Sequence, residues 1–213
     1  MLEIKSYEVY GLEEAVIDSG LPMSLQEPKY NENRAKKLGS VPSGTGHDNF
    51  LKGIVVRAKI KYPLYWTKQF QRYHFADIIS SQSTMHRITK MNMESQCNEY
   101  VMPNIIKIVN NLIKSYNTML ANNQEYIAID LDGNIIQEEG NSLKVFNQEE
   151  LYHMIVSNCP CGLEMEMGII TNYLQLKTIY LQRRHHKLKD WHVFCDWCET
   201  LPKFKDFCLR EDK

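Results

Sequence analysis

Lys61 to Arg87 reads KYPLYWTKQFQRYHFADIISSQSTMHR, and this stretch decides how the chain is built. Pro63 reads as the first residue of a helix, where a missing N–H costs nothing. Trp66, Phe70 and Tyr73 then recur at i, i+4 and i+7, an apolar stripe facing a core. Gln69 and Arg72 stand three apart on the neighbouring stripe, a spacing that brings both side chains to one spot. Arg72 offers a planar fork of donors suited to a phosphate or a carboxylate. Ser80, Ser81, Gln82, Ser83 and Thr84 follow, with His86 and Arg87 behind them; no glycine or proline loosens this cluster into a linker. From composition alone, the competing reading is a surface helix with a solvated arginine followed by a polar loop.

Upstream, Ile54, Val56, Ala58, Ile60 and Tyr62 alternate with Val55, Arg57, Lys59 and Lys61, the pattern of a half-buried strand. Leu2 to Tyr10 reads as a short strand, and Leu12 to Asp18 as a short helix closed by Gly20 and Pro22. Met23 to Gly46 is polar and rich in glycine and proline, and reads mostly as loop. Within it, Ser40 to His47 (SVPSGTGH) could cradle a phosphate with backbone N–H groups, although a plain loop is commoner. It lacks the lysine of a P-loop.

Downstream, Pro103 opens a helix carrying Ile105, Ile106, Val109, Leu112, Ile113, Tyr116 and Leu120. Asp132-Gly133 between two apolar runs predicts a type I′ hairpin over Tyr126–Ile136, and Asp130 and Asp132 read as turn chemistry. Asn147 with Glu150 forms a capping box for a short helix that Cys159-Pro160-Cys161-Gly162 breaks. Leu163 to Arg184 is expected as one long helix, placing Asn172 and Arg183 on one face about three turns apart. A last amphipathic helix carries Leu188, Trp191, Phe194, Cys195 and Trp197, before a charged tail that frays.

With 213 residues, a single domain over 1–213 is expected, with a hairpin insertion near 126–146. Hydrophobic residues at 43% and charged residues at 24% fit a soluble globular protein. A net charge of −1 gives no general pull toward nucleic acid. No run of about 18 apolar residues calls for a membrane span, and the N-terminus lacks the pattern of a signal peptide. A cytoplasmic setting follows, with six reduced cysteines. Cys159 and Cys161 form C-x-C, and Cys195 and Cys198 form C-x2-C. Four such thiolates could hold zinc, but buried cysteine as a small hydrophobe is the commoner outcome, and no metal site is expected.

Together these stretches resemble the flavin-dependent thymidylate synthase family, and more closely its divergent bacterial and phage members. That family has a strand, a helix with Q-x-x-R-H-R, and a serine-rich segment with S-x-R. Here the strand Ile54–Tyr62 leads into Gln69-Phe70-Gln71-Arg72-Tyr73-His74, then Ser80 to Arg87. His47-Asp48-Asn49-Phe50 matches a His-x-x-Phe lead-in, and Asn172 with Arg183 and then Trp191 matches the family's later helices. The departures are Tyr73 for the motif histidine, His74 for its second arginine, a serine one residue late at Ser83, and Met85 where S-x-R has arginine. Lys177 and Thr178 do not reproduce the second asparagine.

The resemblance implies an α/β (α+β) fold, an antiparallel-containing sheet flanked by long helices, assembled as a homotetramer. It implies FAD as cofactor, NADPH and methylenetetrahydrofolate as co-substrates, and dUMP or a related pyrimidine nucleotide as substrate. In that chemistry a reduced flavin passes hydride and the protein supplies no covalent nucleophile. On the same resemblance Gln69 holds the pyrimidine edge, Arg72 stabilises developing negative charge and Ser83 orients the base. Arg87 and Arg183 take phosphate or carbonyl groups, while His47, His74 and Asn172 face the flavin. Two other readings stay open: a nucleotide- or flavin-binding homologue that has lost methyl transfer, suggested by the altered Arg-His-Arg motif, and a zinc-stabilised interaction protein.

Overall fold

Residues 1–136 and 144–209 are described by the computed structural model. In chain order the elements are β1 (Glu3–Tyr10), α1 (Leu12–Asp18), α2 (Glu32–Gly39), β2 (Val55–Pro63), α3 (Leu64–Phe70), β3 (Asp77–Ser81), α4 (Thr84–Arg87), α5 (Met93–Gln96) and α6 (Pro103–Ala121). Then follow β4 (Ile127–Ile129), β5 (Ile135–Ile136), β6 (Lys144–Phe146), α7 (Gln148–Ser157), β7 (Glu164–Asn172), α8 (Tyr173–Arg183), α9 (Lys189–Thr200) and α10 (Phe204–Cys208). They divide between two compact units, one of Met1–Tyr62, Trp66–Ser81 and Glu166–Lys213, the other of Pro63–Tyr65 and Gln82–Met165.

The first unit is built on the alternation of β2. Val56, Ala58, Ile60 and Tyr62 are buried while Arg57 and Lys59 face out. β2 pairs antiparallel with β1, from Glu3 opposite Lys61 to Tyr10 opposite Val55. The sheet order is β1-β2-β7-β3, and β3 closes the far edge antiparallel to β7, with Asp77 opposite Ile170 and Ser81 opposite Met167. Against the sheet lies an aromatic core. Trp66 stacks on Phe70 at 4.7 Å and leans on Trp191 at 4.8 Å, and Phe194 meets Trp197 at 5.1 Å. Such rings combine large apolar area with favourable edge and face contacts.

Three expectations need correction here. Pro63 is not a helix start but the last residue of β2. The N–H groups of Leu64 and Tyr65, the first two residues of α3, donate to the Leu163 and Cys161 carbonyls, each at 3.0 Å, so the pairing carries on into the first turn of the helix. The helix predicted over 163–184 is instead β7 followed by α8. Met165, Met167, Ile169 and Thr171 are buried, while Glu166 and Ile170 turn outward, a period of two. The span 23–46, read mostly as loop, contains α2. Asn31 caps it by accepting from the Arg34 N–H at 2.9 Å, and the Arg34 guanidinium reaches back to the Val16 and Lys29 carbonyls.

In the second unit α6 buries Val109, Leu112, Ile113 and Met119. α7 carries the expected capping box between Asn147 and Glu150. The small sheet runs β5-β4-β6. Its β4–β5 hairpin exists, but the turn is not type I′: only Gly133 has positive φ, at 80°. The Gly133 N–H donates to Asp130 O, and Asp130 Oδ1 accepts from the N–H groups of Asp132 and Asn134. This is a type I turn closed by a left-handed glycine. Ser115 and Asn111 of α6 donate to the Gly133 and Asp132 carbonyls at 2.8 and 2.9 Å, so the turn rests on α6. The rest of the predicted 126–146 insertion, residues 137–143, lies outside the described residues, as does the tail from 210 onward. Among the described residues no helix is long and apolar enough to cross a membrane.

Candidate active site

Three helices, α3, α8 and α9, meet at one side chain. Gln69, in the last turn of α3, accepts at Oε1 from Trp191 Nε1 at 2.8 Å and from Arg183 Nη1 at 3.3 Å. Arg183, the last residue of α8, also donates from Nε to the Tyr73 hydroxyl at 2.7 Å. That hydroxyl donates in turn to Gln182 Oε1 at 3.1 Å. The guanidinium lies 4.8 Å from the Trp191 ring centre and 5.7 Å from that of Tyr73, so two aromatic faces hold its charge. The His186 ring stands edge-on to Trp191. Burial, with Arg183, Lys187 and His192 nearby, lowers its pKa below the usual histidine value. The result is a half-buried cation whose orientation is fixed through a carbonyl oxygen, a phenol and an indole.

The structure thus brings Gln69 and Arg183 together and separates other expected partners. α3 ends at Phe70, so Arg72 is not on a helical stripe beside Gln69; it sits exposed in the following turn. Tyr73 lies beyond the helix too, and its ring still meets Trp191 edge-on at 6.1 Å. His74 is exposed two residues after Arg72. Asn172 and Arg183 lie about three turns apart along α8, the spacing expected, but at its two ends. Asn172 is the N-cap of α8, its Oδ1 accepting from the Gln175 N–H at 2.9 Å, and Arg183 closes the opposite end. At about 1.5 Å per residue, that separates them by roughly 16 Å. His47 is exposed at the end of the loop from Ser40, and the next residue, Asp48, is buried.

Ser83 and Arg87 belong to the second unit. The serine-rich segment does not continue as one helix. Ser80 and Ser81 are exposed in edge strand β3, whereas Ser83 caps α4 by accepting from the His86 N–H at 3.3 Å. Ser80, Ser83 and Arg87 therefore do not form a helical row. Arg87 is half-buried, and its Nη1 is buried with no protein partner. The Tyr152 hydroxyl donates to the Met85 carbonyl at 2.7 Å and fastens α4 to α7.

Cys195 and Cys198 are buried along α9. Burial pushes the Cys195 thiol up to about 12 and the Cys198 thiol well above the usual range. Cys159 is raised to about 11 by burial, then by Cys97 and Cys161. Among the described residues, no group of three or more His, Cys, Asp or Glu is placed to hold a metal ion.

Sequence reasoning missed the polar ends of Tyr73 and Trp191, both read only as apolar surface. The available signal was chemical: an indole N–H or a phenol usually finds a hydrogen-bond partner when buried, and Gln69 and Arg183, read only as ligand-binding groups, are also those partners.

No protein-family model and no curated protein matches the chain by sequence. Solved structures do match. The crystal structure of ThyX, the flavin-dependent thymidylate synthase of Helicobacter pylori, complexed with FAD and dUMP, superposes with a TM-score of 0.58 at 10% identity, over 98% of this chain and 99% of that one. A second ThyX structure from the same organism, also with FAD and dUMP, gives 0.59 at 11% identity over 99% of both chains. The chain has the fold of a flavin-dependent thymidylate synthase.

Proposed function

We propose that this protein is a flavin-dependent thymidylate synthase-like enzyme that methylates dUMP or a related pyrimidine nucleotide. On this reading it uses FAD, with methylenetetrahydrofolate as carbon donor and NADPH as reductant, and works as a homotetramer in the cytoplasm. The whole chain is read as one such domain, with the 126–146 hairpin as an insertion. The observation that carries the proposal is the convergence of Gln69 and Arg183, with Trp191 and Tyr73, on a fold shared with an enzyme crystallised with FAD and dUMP.

The residues present fit an anionic nucleotide and a flavin. Arg87 has a buried donor that a phosphate oxygen would satisfy, at about 1.5–3 kcal/mol for a charge-assisted bond. Arg72 and His74 offer donors from an exposed turn. When bound, the reduced flavin supplies the hydride, and the protein positions and polarises. Gln69 has its oxygen committed to Arg183 and Trp191, which fixes the plane of the amide and leaves its NH2 for the pyrimidine edge. Arg72 stabilises negative charge developing on the base. Ser83 uses its oxygen to cap α4 and keeps its proton to orient the base. Arg183 takes a phosphate or carbonyl oxygen. His47, His74 and Asn172 serve the flavin, Asn172 through its NH2 because its oxygen caps α8.

A second reading is a homologue that binds flavin or nucleotide without methyl transfer. Tyr73, at the motif-histidine position, favours it, because its hydroxyl is engaged by Arg183 and Gln182. Flavin absorbance of the purified protein, titration with dUMP, and complementation of a thymidine-requiring host test both. Flavin binding with rescue supports the enzyme; flavin binding without rescue supports the second reading; no flavin binding overturns both.

A further inference from the structure

Lys177 is only 1% exposed, midway along α8. A buried lysine is rare unless paired, and this one uses all three of its protons. Nζ donates to Asp48 Oδ2 at 2.7 Å, to the Gly39 carbonyl at 2.7 Å and to the Val41 carbonyl at 2.6 Å. Asp48 is itself 2% exposed.

The three acceptors are not scattered. Gly39 and Val41 lie where the chain leaves α2, and Asp48 lies where it enters the 3-10 turn Asn49–Gly53 ahead of β2. One ammonium group therefore grips both sides of a loop at its neck. The segment between, from Pro42 to His47, is exposed throughout. Gly44 and Gly46 have φ of 96° and 82°, a backbone that glycine adopts without strain. The Thr45 hydroxyl donates to Pro42 O at 3.2 Å, an internal tie that shapes the tip. The loop thus has a sealed, fully hydrogen-bonded neck and a tip that faces solvent.

We infer that Lys177 is a positioning residue: it pins the neck of the Pro42–His47 loop to α8 and so fixes where His47 presents its ring to the flavin. The inference rests on the proposed function for the identity of the ligand, but the pin itself does not. α8 is also the helix that ends in Arg183, so one rigid element would set the placement of both the loop and that guanidinium.

Lys177→Met alone strands the Asp48 carboxylate in a dry site and is expected to lower thermal stability sharply. The decisive variant is therefore Lys177→Met combined with Asp48→Leu, which replaces the pair by apolar groups, a change often neutral or stabilising. The expected result is a melting temperature above that of Lys177→Met, since only the Gly39 and Val41 carbonyls then lack their donor. Amide exchange at Ser40, Asn49 and Leu51, whose N–H groups donate to the Lys36, Gly46 and Asp48 carbonyls, should be faster by at least tenfold, and FAD affinity, read by flavin fluorescence quenching, weaker by at least tenfold. His47→Ala should reproduce the loss of FAD affinity without the change in exchange. A double variant with wild-type exchange at Ser40, Asn49 and Leu51 overturns the pin. One with faster exchange but unchanged FAD affinity leaves Lys177 a stability residue and overturns its positioning role. If the wild-type protein takes up no FAD, the proposed function fails, and the role of His47 with it, while the exchange measurement still decides the pin.

Discussion

Arg183 Nη1 stands 3.3 Å from Gln69 Oε1 across 114 residues of sequence, and Trp191 Nε1 donates to the same oxygen at 2.8 Å. A single amide thus holds a cation and an indole. Gln69→Leu leaves both donors without an acceptor, at about 1–3 kcal/mol each, and should lower both stability and dUMP affinity. Gln69→Glu keeps the acceptor and adds a charge for Arg183, but loses the NH2 group. It should unfold in urea no earlier than wild type, yet bind dUMP at least tenfold more weakly. Equal dUMP affinity for Gln69→Glu and wild type would show that this amide is scaffold alone.

Arg72 is exposed and packs in no core. Arg72→Ala should change stability by no more than about 0.5 kcal/mol. The loss of charge-assisted bonds, about 1.5–3 kcal/mol each, should weaken dUMP binding at least tenfold by calorimetry. Unchanged affinity places the nucleotide elsewhere.

Counted from Arg72, Ser83 lies one residue beyond the family's serine spacing and Ser81 one residue short of it, so the two compete for the substrate role. Ser83→Ala also removes the α4 cap, at about 1 kcal/mol, so Ser83→Asp, which preserves a cap acceptor, is the needed companion. Both should abolish turnover, whereas Ser81→Ala, on an exposed strand edge, should retain it. A dead Ser81→Ala enzyme beside an active Ser83→Ala enzyme assigns the role to Ser81.

Thiol chemistry separates the cysteines. Cys161 is exposed, while Cys195, Cys198 and Cys208 are buried with raised thiol pKa values. A thiol-specific chromophoric reagent at pH 8 should label Cys161 rapidly and the buried three only after denaturation. Rapid labelling of Cys195 or Cys198 in the folded protein contradicts this packing.

Glu199 sets an acid limit on stability. Its carboxylate accepts from the Tyr180 hydroxyl at 2.7 Å and pairs with Lys205 at 2.9 Å and Arg184 at 3.3 Å, which holds its pKa below the usual value. The folded carboxyl binds its proton less readily than the unfolded one. Its contribution is therefore present above the ordinary carboxylate range and lost as pH falls through the folded pKa. For Tyr180, burial and the same hydrogen bond raise the pKa to about 12, so that contribution holds below about 10 and fades as pH climbs toward 12. Glu199→Gln should flatten the loss of melting temperature on the acid side; an unchanged acid slope removes Glu199 from the account.

Much of this fold is legible in one sequence because it follows local rules. β2 announces itself by alternation, α6 by its proline and apolar period, and α7 by the Asn147–Glu150 box. β7 does not, because Glu164 to Met167 are good helix formers by intrinsic preference, and only pairing with neighbouring strands overrides that. The site divides the same way. Gln69 and Arg183 stand out through the resemblance their motifs carry, but their hydrogen bond joins α3 to α8, and no local spacing encodes it. Tyr73 and Trp191 passed as apolar because their rings dominate the pattern and their single polar atoms do not. Lys177 gave no sign, since sequence alone does not show which lysine is buried.

The Leu2 N–H donates to Asp190 Oδ1 at 2.8 Å, a bond between residues 188 apart. It belongs to a unit whose segments lie at both ends of the chain, while most of the other unit is the continuous run Gln82–Met165. As the ribosome releases the chain, β1 and β2 emerge long before α9 and must wait, with their apolar faces uncovered, until Asp190 and the aromatic rings behind it arrive. Long-range closures of this kind form late. The interval between the synthesis of β2 and that of α9 is therefore when a nascent chain most needs a chaperone, and when a stalled or truncated translation product would aggregate.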